Sequence, residues 1–238
     1  MTKLLYLEDS YTKEFAATVI EVIDGTGIVL DQTYFYPRGG GQLDDRGVLV
    51  DTVTDESFVV CEVFKKEGKA IHKVERSGLK PGSVVRGVLE WSRRYRMMRM
   101  HTASHVVTGI IAAKLGALIT GHQLGLEKSR TDFNLEEFDK QKIQECFDLA
   151  NKYIEEDIPV TTYMLPREEA LNNPKLVKLA NVLPPSVKDL RIVKIGDVDE
   201  QADGGTHVKS LKECGALVFL KGENKGKNNR RVYFGLEE

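Results

Sequence analysis

Alternation of apolar and polar positions marks the first third of the chain as strands. Residues 15–23 are rich in Val, Ile and Thr, and Asp24-Gly25 then supplies a hairpin-type turn before a return strand at 28–30. Residues 58–64 and 69–74 form a second pair around Lys66-Glu67-Gly68. Lys80-Pro81-Gly82 marks a turn, after which Val84, Arg86, Val88 and Glu90 alternate with Val85, Gly87 and Leu89. Short strands with regular turns predict a small barrel or sandwich.

The pattern changes near Trp91. Residues 93–118 read as helix. A second helix is predicted over 135–156, where Ile143, Phe147, Ala150 and Ile154 recur at helical spacing until Pro159 intervenes. Residues 160–165 predict a strand, 167–180 a helix interrupted by Asn-Asn-Pro, 190–195 a strand, and 216–220 with 230–234 a hairpin. The second part is therefore mixed α+β. The boundary falls near residue 90, giving segments 1–90 and 91–238, and no Ser/Pro-rich linker separates them.

Composition narrows the class. The chain has 238 residues, long enough for a real core without staples. With 34 basic and 36 acidic residues its net charge is −2, which excludes a general coat of positive charge but not local basic surfaces. Three cysteines, Cys61, Cys146 and Cys214, are too few and too scattered for a disulfide framework, so a reducing, cytoplasmic setting is expected. Lys3, Glu8 and Asp9 break any apolar leader. The longest apolar stretch, 106–119, is interrupted by Gly109, Lys114 and Gly116 and is too short to span a bilayer.

Candidate chemistry sits in three places. His101-Thr-Ala-Ser-His105 puts two imidazoles on one helix face. Asp203-Gly-Gly-Thr-His207 offers a carboxylate and an imidazole at the same spacing, around two glycines that permit a tight turn. Three imidazoles and a carboxylate suit zinc or a similar divalent ion. Thr102 stands where a metalloprotease helix carries its glutamate, so that reading is demoted. Tyr34-Phe-Tyr-Pro-Arg-Gly-Gly-Gly-Gln-Leu-Asp-Asp45 reads as a loop that approaches a ligand, with Gln42 able to donate and accept. It lacks the Lys-Ser/Thr of a phosphate loop.

Together these three segments resemble the freestanding alanyl-tRNA editing proteins, the AlaX family, which are themselves similar to the editing domain of alanyl-tRNA synthetase. The resemblance extends through Gly121-His-Gln-Leu-Gly125, Ser129-Arg-Thr-Asp-Phe-Asn134 and the basic C-terminal hairpin. It implies an α+β protein with a small N-terminal β-barrel packed against a C-terminal α+β editing domain. It implies hydrolysis of mischarged tRNA(Ala), chiefly Ser-tRNA(Ala), with Gly-tRNA(Ala) as a further candidate. It also implies one Zn2+ held by His101, His105, His207 and the residue at 203. Two positions depart from the family pattern. Asp203 replaces a cysteine, which makes Cys214 a fallback ligand, and Arg38 replaces a glutamate often found in the glycine loop.

A second site that hydrogen-bonds the serine hydroxyl separates serine from alanine better than the synthetase pocket can. Thr102 and Thr206 are the candidate hydroxyls, and Gln42 is the candidate contact to the substrate or the terminal ribose. Asp132 and His122 are candidates for a general base, each with a structural reading beside it. RNA phosphates are expected at Arg93, Arg94, Arg96 and Arg99, and at Lys221, Lys225, Lys227, Arg230 and Arg231. Editing of Ser-tRNA(Thr) is the nearest rival, and a noncatalytic RNA-binding module with a structural metal is the rival from another class. The absence of an ATP-binding region predicts a freestanding protein rather than a piece of a synthetase.

Overall fold

The computed structural model describes residues 2–173, 176 and 188–237. The chain divides into two compact units, Met1–Met97 and Met98–Glu238.

The first unit is a closed antiparallel circuit. Its strands are β1 (Lys3–Leu4), β2 (Glu14–Ile23), β3 (Gly27–Leu30), β4 (Gln32–Thr33), β5 (Gly47–Asp51), β6 (Ser57–Lys66), β7 (Lys69–Val74) and β8 (Val84–Leu89). The order β2-β3-β7-β6-β5-β8 closes where β8 pairs back onto β2. β1 and β4 form a small parallel pair beside it. Alternation along β2 turns Phe15, Ala17 and Val19 inward, where they meet Leu30, Leu49, Phe58, Val60 and Val85. Asp24 and Gly25 both take positive φ, 49° and 74°, at the centre of a turn that the Thr26 N–H closes onto Ile23 O. Strand β5 has no clean alternation in sequence, and it is defined by pairing with β6 and β8.

Helix α1 (Trp91–Leu115) bridges the division in sequence. It ends three residues before the expected 118 because Gly116 turns left-handed, φ 65°, and its N–H bonds Ala112 O as a C-terminal cap. The second unit adds two sheets. β9 (Ile119–Gln123), β10 (Ser129–Phe133), β14 (Leu217–Asn224) and β15 (Arg230–Leu236) form one, in the order β14-β15-β10-β9. β11 (Val160–Pro166), β12 (Asp189–Ile195) and β13 (Asp199–Ala202) form the other. Helix α2 (Lys140–Glu155) starts later than expected, because the Asp139 carboxylate caps it by accepting from Lys142 N–H. Its Phe147 packs on Phe219 and Phe234, with ring centroids 5.5 and 6.3 Å away. Phe138, before the cap, sets its ring where a side chain on Gly222 would stand. Of the helix expected over 167–180, α3 (Arg167–Leu171) is present, and most of the remainder lies outside the described residues. Among the described residues no helix is long and apolar enough to cross a membrane.

Candidate metal centre

Helix α1 is buried almost all round from Met97 to Ile111. His101 and His105, one turn apart, present their rings side by side with centroids 4.9 Å apart. Strand β13 delivers the other two groups. Just beyond it Asp203 Oδ1 accepts the Gly205 N–H at 2.6 Å, closing a tight turn. Arg191 on β12 fastens that turn by donating to the carbonyls of Asp203 and Gly205, at 3.2 and 3.0 Å. The turn sets the His207 ring 4.4 Å from that of His101 and 4.8 Å from that of His105. Asp203 Oδ2 lies 3.7 Å from His101 Nε2 and 4.0 Å from His105 Nε2, and its Oδ1 lies 3.0 Å from His207 Nε2. One potential ligand atom from each residue falls within 4.8 Å of all the others.

A further set of groups holds these four. His105 Nδ1 lies 2.9 Å from the buried Asp199 carboxylate, which also accepts from Gln201 at 2.8 Å. A carboxylate can only accept, so this contact calls for a proton on His105 Nδ1, the nitrogen that Gln201 Nε2 also approaches to 2.9 Å, and Nε2 of the ring faces the cluster. Gly109, one turn after His105, lets β13 come this close: a Cβ there would stand 3.0 Å from Val198 O and 3.3 Å from Asp199 Oδ1. Thr102 Oγ1 pairs with His207 Nδ1 at 3.1 Å and accepts the Val208 N–H at 3.2 Å. Sequence reading missed Asp199 and Gln201. Asp199 lies 94 residues from His105, and no local spacing connects them.

Electrostatics favour a cation. Burial pushes the His101 imidazole well below its ordinary pKa, an effect that Asp203 opposes and the neighbouring histidines reinforce. Burial likewise pushes His207 down to about 4. Burial alone would raise the Asp203 carboxyl, but His101, His207 and His105 outweigh it and hold it well below the usual carboxylate range. Neutral imidazoles beside an ionised carboxylate are the protonation states that a divalent ion needs. The donor set and the anchored His105 ring fit such an ion.

The other expected residues are placed as follows. Thr206 is buried between the glycine turn and His207. Gln42 belongs to the first unit; its backbone and that of Gly39 exchange hydrogen bonds at 2.9 and 3.3 Å, closing the glycine loop, and its side chain is buried. Arg38 in the same loop pairs with Asp44 at 3.3 Å and Glu62 at 3.5 Å. RNA contact does not hold for Arg94. Its guanidinium is fully buried, forks onto Asp45 and donates to the carbonyls of Ser10 and Tyr34. Nor does it hold for Arg230, which is buried and donates to the carbonyls of Gly226, Asn229 and Glu136. Arg93 is largely buried and donates to Asp44 O at 2.9 Å. Arg96 is half-buried, while Arg99 is pinned to Cys214 O at 3.0 and 2.8 Å. Lys221 and Lys225 pair with Glu223, and Lys227 is exposed in the hairpin loop. Arg231 grips Asp132 at 2.7 and 2.8 Å, which commits that carboxylate to an ion pair rather than to proton abstraction. Cys214 is buried, its thiol pushed up to about 12 by burial, and it lies outside the four-residue cluster.

Comparison with known proteins agrees with this geometry. Residues 190–233 match the family described as the threonyl and alanyl tRNA synthetase second additional domain, and residues 3–93 match class II (A) tRNA synthetases. The alanyl-tRNA editing protein AlaX-M of Saccharolobus solfataricus is 48% identical over 98% of both chains. That of Methanosarcina barkeri is 46% identical over 99% of both. The alanine–tRNA ligase of Pyrococcus abyssi is 40% identical over the whole of this chain, which covers 26% of the ligase. Full-length similarity of this order, on a chain that gathers its two histidine segments into one cluster, shows that the protein belongs to the alanyl-tRNA editing proteins of the AlaX type and resembles the editing region of alanyl-tRNA synthetase.

Proposed function

We propose that this chain is a trans-editing deacylase of Ser-tRNA(Ala), with Gly-tRNA(Ala) as a second substrate, acting in the cytoplasm at a site that holds one Zn2+. As a member of the alanyl-tRNA editing proteins it is a hydrolase of mischarged aminoacyl-tRNA. The observation that carries the finer reading is the buried convergence of His101, His105, Asp203 and His207. In this reading residues 1–90 are the N-terminal domain, whose closed sheet is the family barrel, and 91–238 are the editing domain.

Hydrolysis breaks the ester bond between the acyl carbon and the terminal ribose oxygen, and water supplies a hydroxyl to the first and a proton to the second. A divalent ion at such a site, when bound, polarises a carbonyl and acidifies water. The chain's own residues do the positioning. Asp199 fixes the His105 ring, and Thr102 acts through His207 Nδ1. Thr206 and Gln42 are the proposed substrate contacts. Arg93, Arg96, Arg99, Lys225, Lys227 and Arg231 are the proposed phosphate contacts, strongest at the exposed lysines of the hairpin.

Metal analysis combined with hydrolysis of Ala-, Ser- and Gly-tRNA(Ala), and of Ser-tRNA(Thr), tests the reading. One zinc per chain and selective loss of serine and glycine from tRNA(Ala) are expected, and both disappear in His101→Ala and His207→Ala. Full turnover by either metal-free variant removes the metal from the mechanism. Preference for Ser-tRNA(Thr) moves the protein to threonyl editing.

A further inference from the structure

The sheet β14-β15-β10-β9 has an outer face that the four-residue cluster does not use. Alternation along β15 puts Arg231 and Tyr233 on the face opposite Phe234, which packs on Phe147 of α2. Strand register then lines up two rows across that face. One is Lys221, Tyr233, Arg130 and Gln123, and the other is Glu223, Arg231, Asp132 and Gly121. Two ammonium groups stand over the Tyr233 ring, Lys221 Nζ at 4.7 Å and Lys128 Nζ at 5.4 Å from its centroid. Arg130 lies directly across from it and donates to Gln123 Oε1 at 3.0 Å and Asp132 Oδ2 at 3.2 Å. Cations outnumber anions here. Arg130, Lys221, Lys225 and Arg231 share the carboxylates of Asp132 and Glu223, and among the described residues Lys128 has no acidic partner. Strand β9 is the last of the sheet. Gln123 ends the first row on its outer side. The residue before it, His122, is on the other face, with its ring centroid 6.4 Å from that of His101.

We propose that this outer face carries the unpaired 3′ end of the tRNA, with one base stacked on Tyr233 and the neighbouring phosphates on Lys128, Arg130 and Lys221. This role rests on the editing function proposed above. The ester to be hydrolysed sits on the terminal ribose, so the strand that carries it must travel to the histidine cluster. Cations interleaved with an aromatic ring suit a single strand, because a base can lie flat on the ring only when it is free of a duplex. The row from Lys221 to Gln123 crosses three strand spacings, about 14 Å, and runs to the β9 edge. A strand passing over that edge goes from the Gln123 side to the His122 side, where the cluster lies.

The test measures binding of uncharged tRNA(Ala) to the zinc-loaded protein across a salt series, for the intact tRNA and for one lacking its 3′ single strand. Wild type is compared with Tyr233→Leu, Tyr233→Phe and Lys128→Ala. Y233L is expected to bind the intact tRNA about tenfold more weakly, while Y233F, which keeps the ring, binds as wild type does. K128A is expected to lower the slope of log affinity against log salt by about 0.7, the single-strand value for one phosphate contact. The truncated tRNA binds wild type more weakly and binds all three variants equally with it. Variants that weaken both tRNAs alike overturn the proposal, because the face then touches the duplex. Variants that bind intact tRNA as wild type does overturn it too. Should Y233L fail to fold, the salt slopes of K128A on the two tRNAs decide alone. A wild-type protein inactive on Ser-tRNA(Ala) fails the editing reading itself, whereas an active one with unaltered variants fails this proposal only.

Discussion

Two buried histidines show how one side chain serves opposite ends. His105 is held by Asp199 so that its free nitrogen points at other ligand atoms. Carboxylates in this position orient the ring and raise its basicity. Asp199→Asn keeps the shape and loses the charge. It is expected to weaken zinc about 10- to 100-fold in a chelator competition, with the thermal unfolding of the metal-free protein little changed. His72 lies in the first unit, fully buried, with Nδ1 donating to Ile28 O at 3.0 Å and Nε2 accepting from Thr33 at 2.8 Å. Burial pushes it down to about 4. Its folded pKa lies below the unfolded value of 6.5, so its contribution to stability is complete above pH 6.5 and drains away as pH falls toward 4. At ~1.4 kcal/mol per pH unit the loss approaches about 3 kcal/mol. Denaturant titrations across that window are expected to show it, and His72→Gln to flatten it.

At the scale of elements, helix α1 carries two glycines with different duties. Gly109 permits close approach of β13, while Gly116 ends the helix in a left-handed conformation. Gly109→Ala is expected to push Val198 and Asp199 outward and weaken zinc binding. Gly116→Ala costs about 1 kcal/mol in stability and leaves zinc affinity unchanged. Measuring affinity and unfolding for both variants separates the two roles. Most long elements were legible because their periodicity is strong: β2, β6 and β8 follow a burial pattern of two and α2 one of 3.6, while α1 stands out as a long run of buried residues. Strands β9 and β10 were not legible. Their residues include Thr120, His122, Ser129, Thr131 and Asp132, polar side chains that face neighbours rather than an apolar core. The expected start of α2 ran early because Phe138 looks helical in sequence, yet packs over Gly222 ahead of the Asp139 cap.

At the scale of the whole molecule, the clustered residues were readable and their support was not. His101 with His105, and Asp203 with His207, announce themselves by spacing alone. Asp199 reaches His105, and Asp45 reaches Arg94, only through the fold, across 94 and 49 residues. This is also why Arg94 looked like one more surface cation in a basic run. The charge count has a similar lesson. With a net charge of −2, binding to a polyanion must come from a local patch; Arg94 and Arg230 are buried, whereas Lys221, Lys225 and Lys227 of the hairpin are exposed.

The way the cluster is assembled reaches beyond catalysis. Its residues come in two sequence-local pairs, and Thr102 and His207, which meet beside it, are 105 residues apart. An ion gripping both pairs therefore closes a very large loop, as a disulfide does. Closing a loop of this size is worth a few kcal/mol in chain entropy. In a reducing compartment, where thiols cannot serve as cross-links, such an ion acts as a reversible staple for the second unit. Stripping it with a strong chelator is expected to lower the melting temperature of that unit, and restoring stoichiometric zinc to recover it, in calorimetric scans with and without chelator. Zinc supply would then set how long the folded protein survives as well as how fast it works.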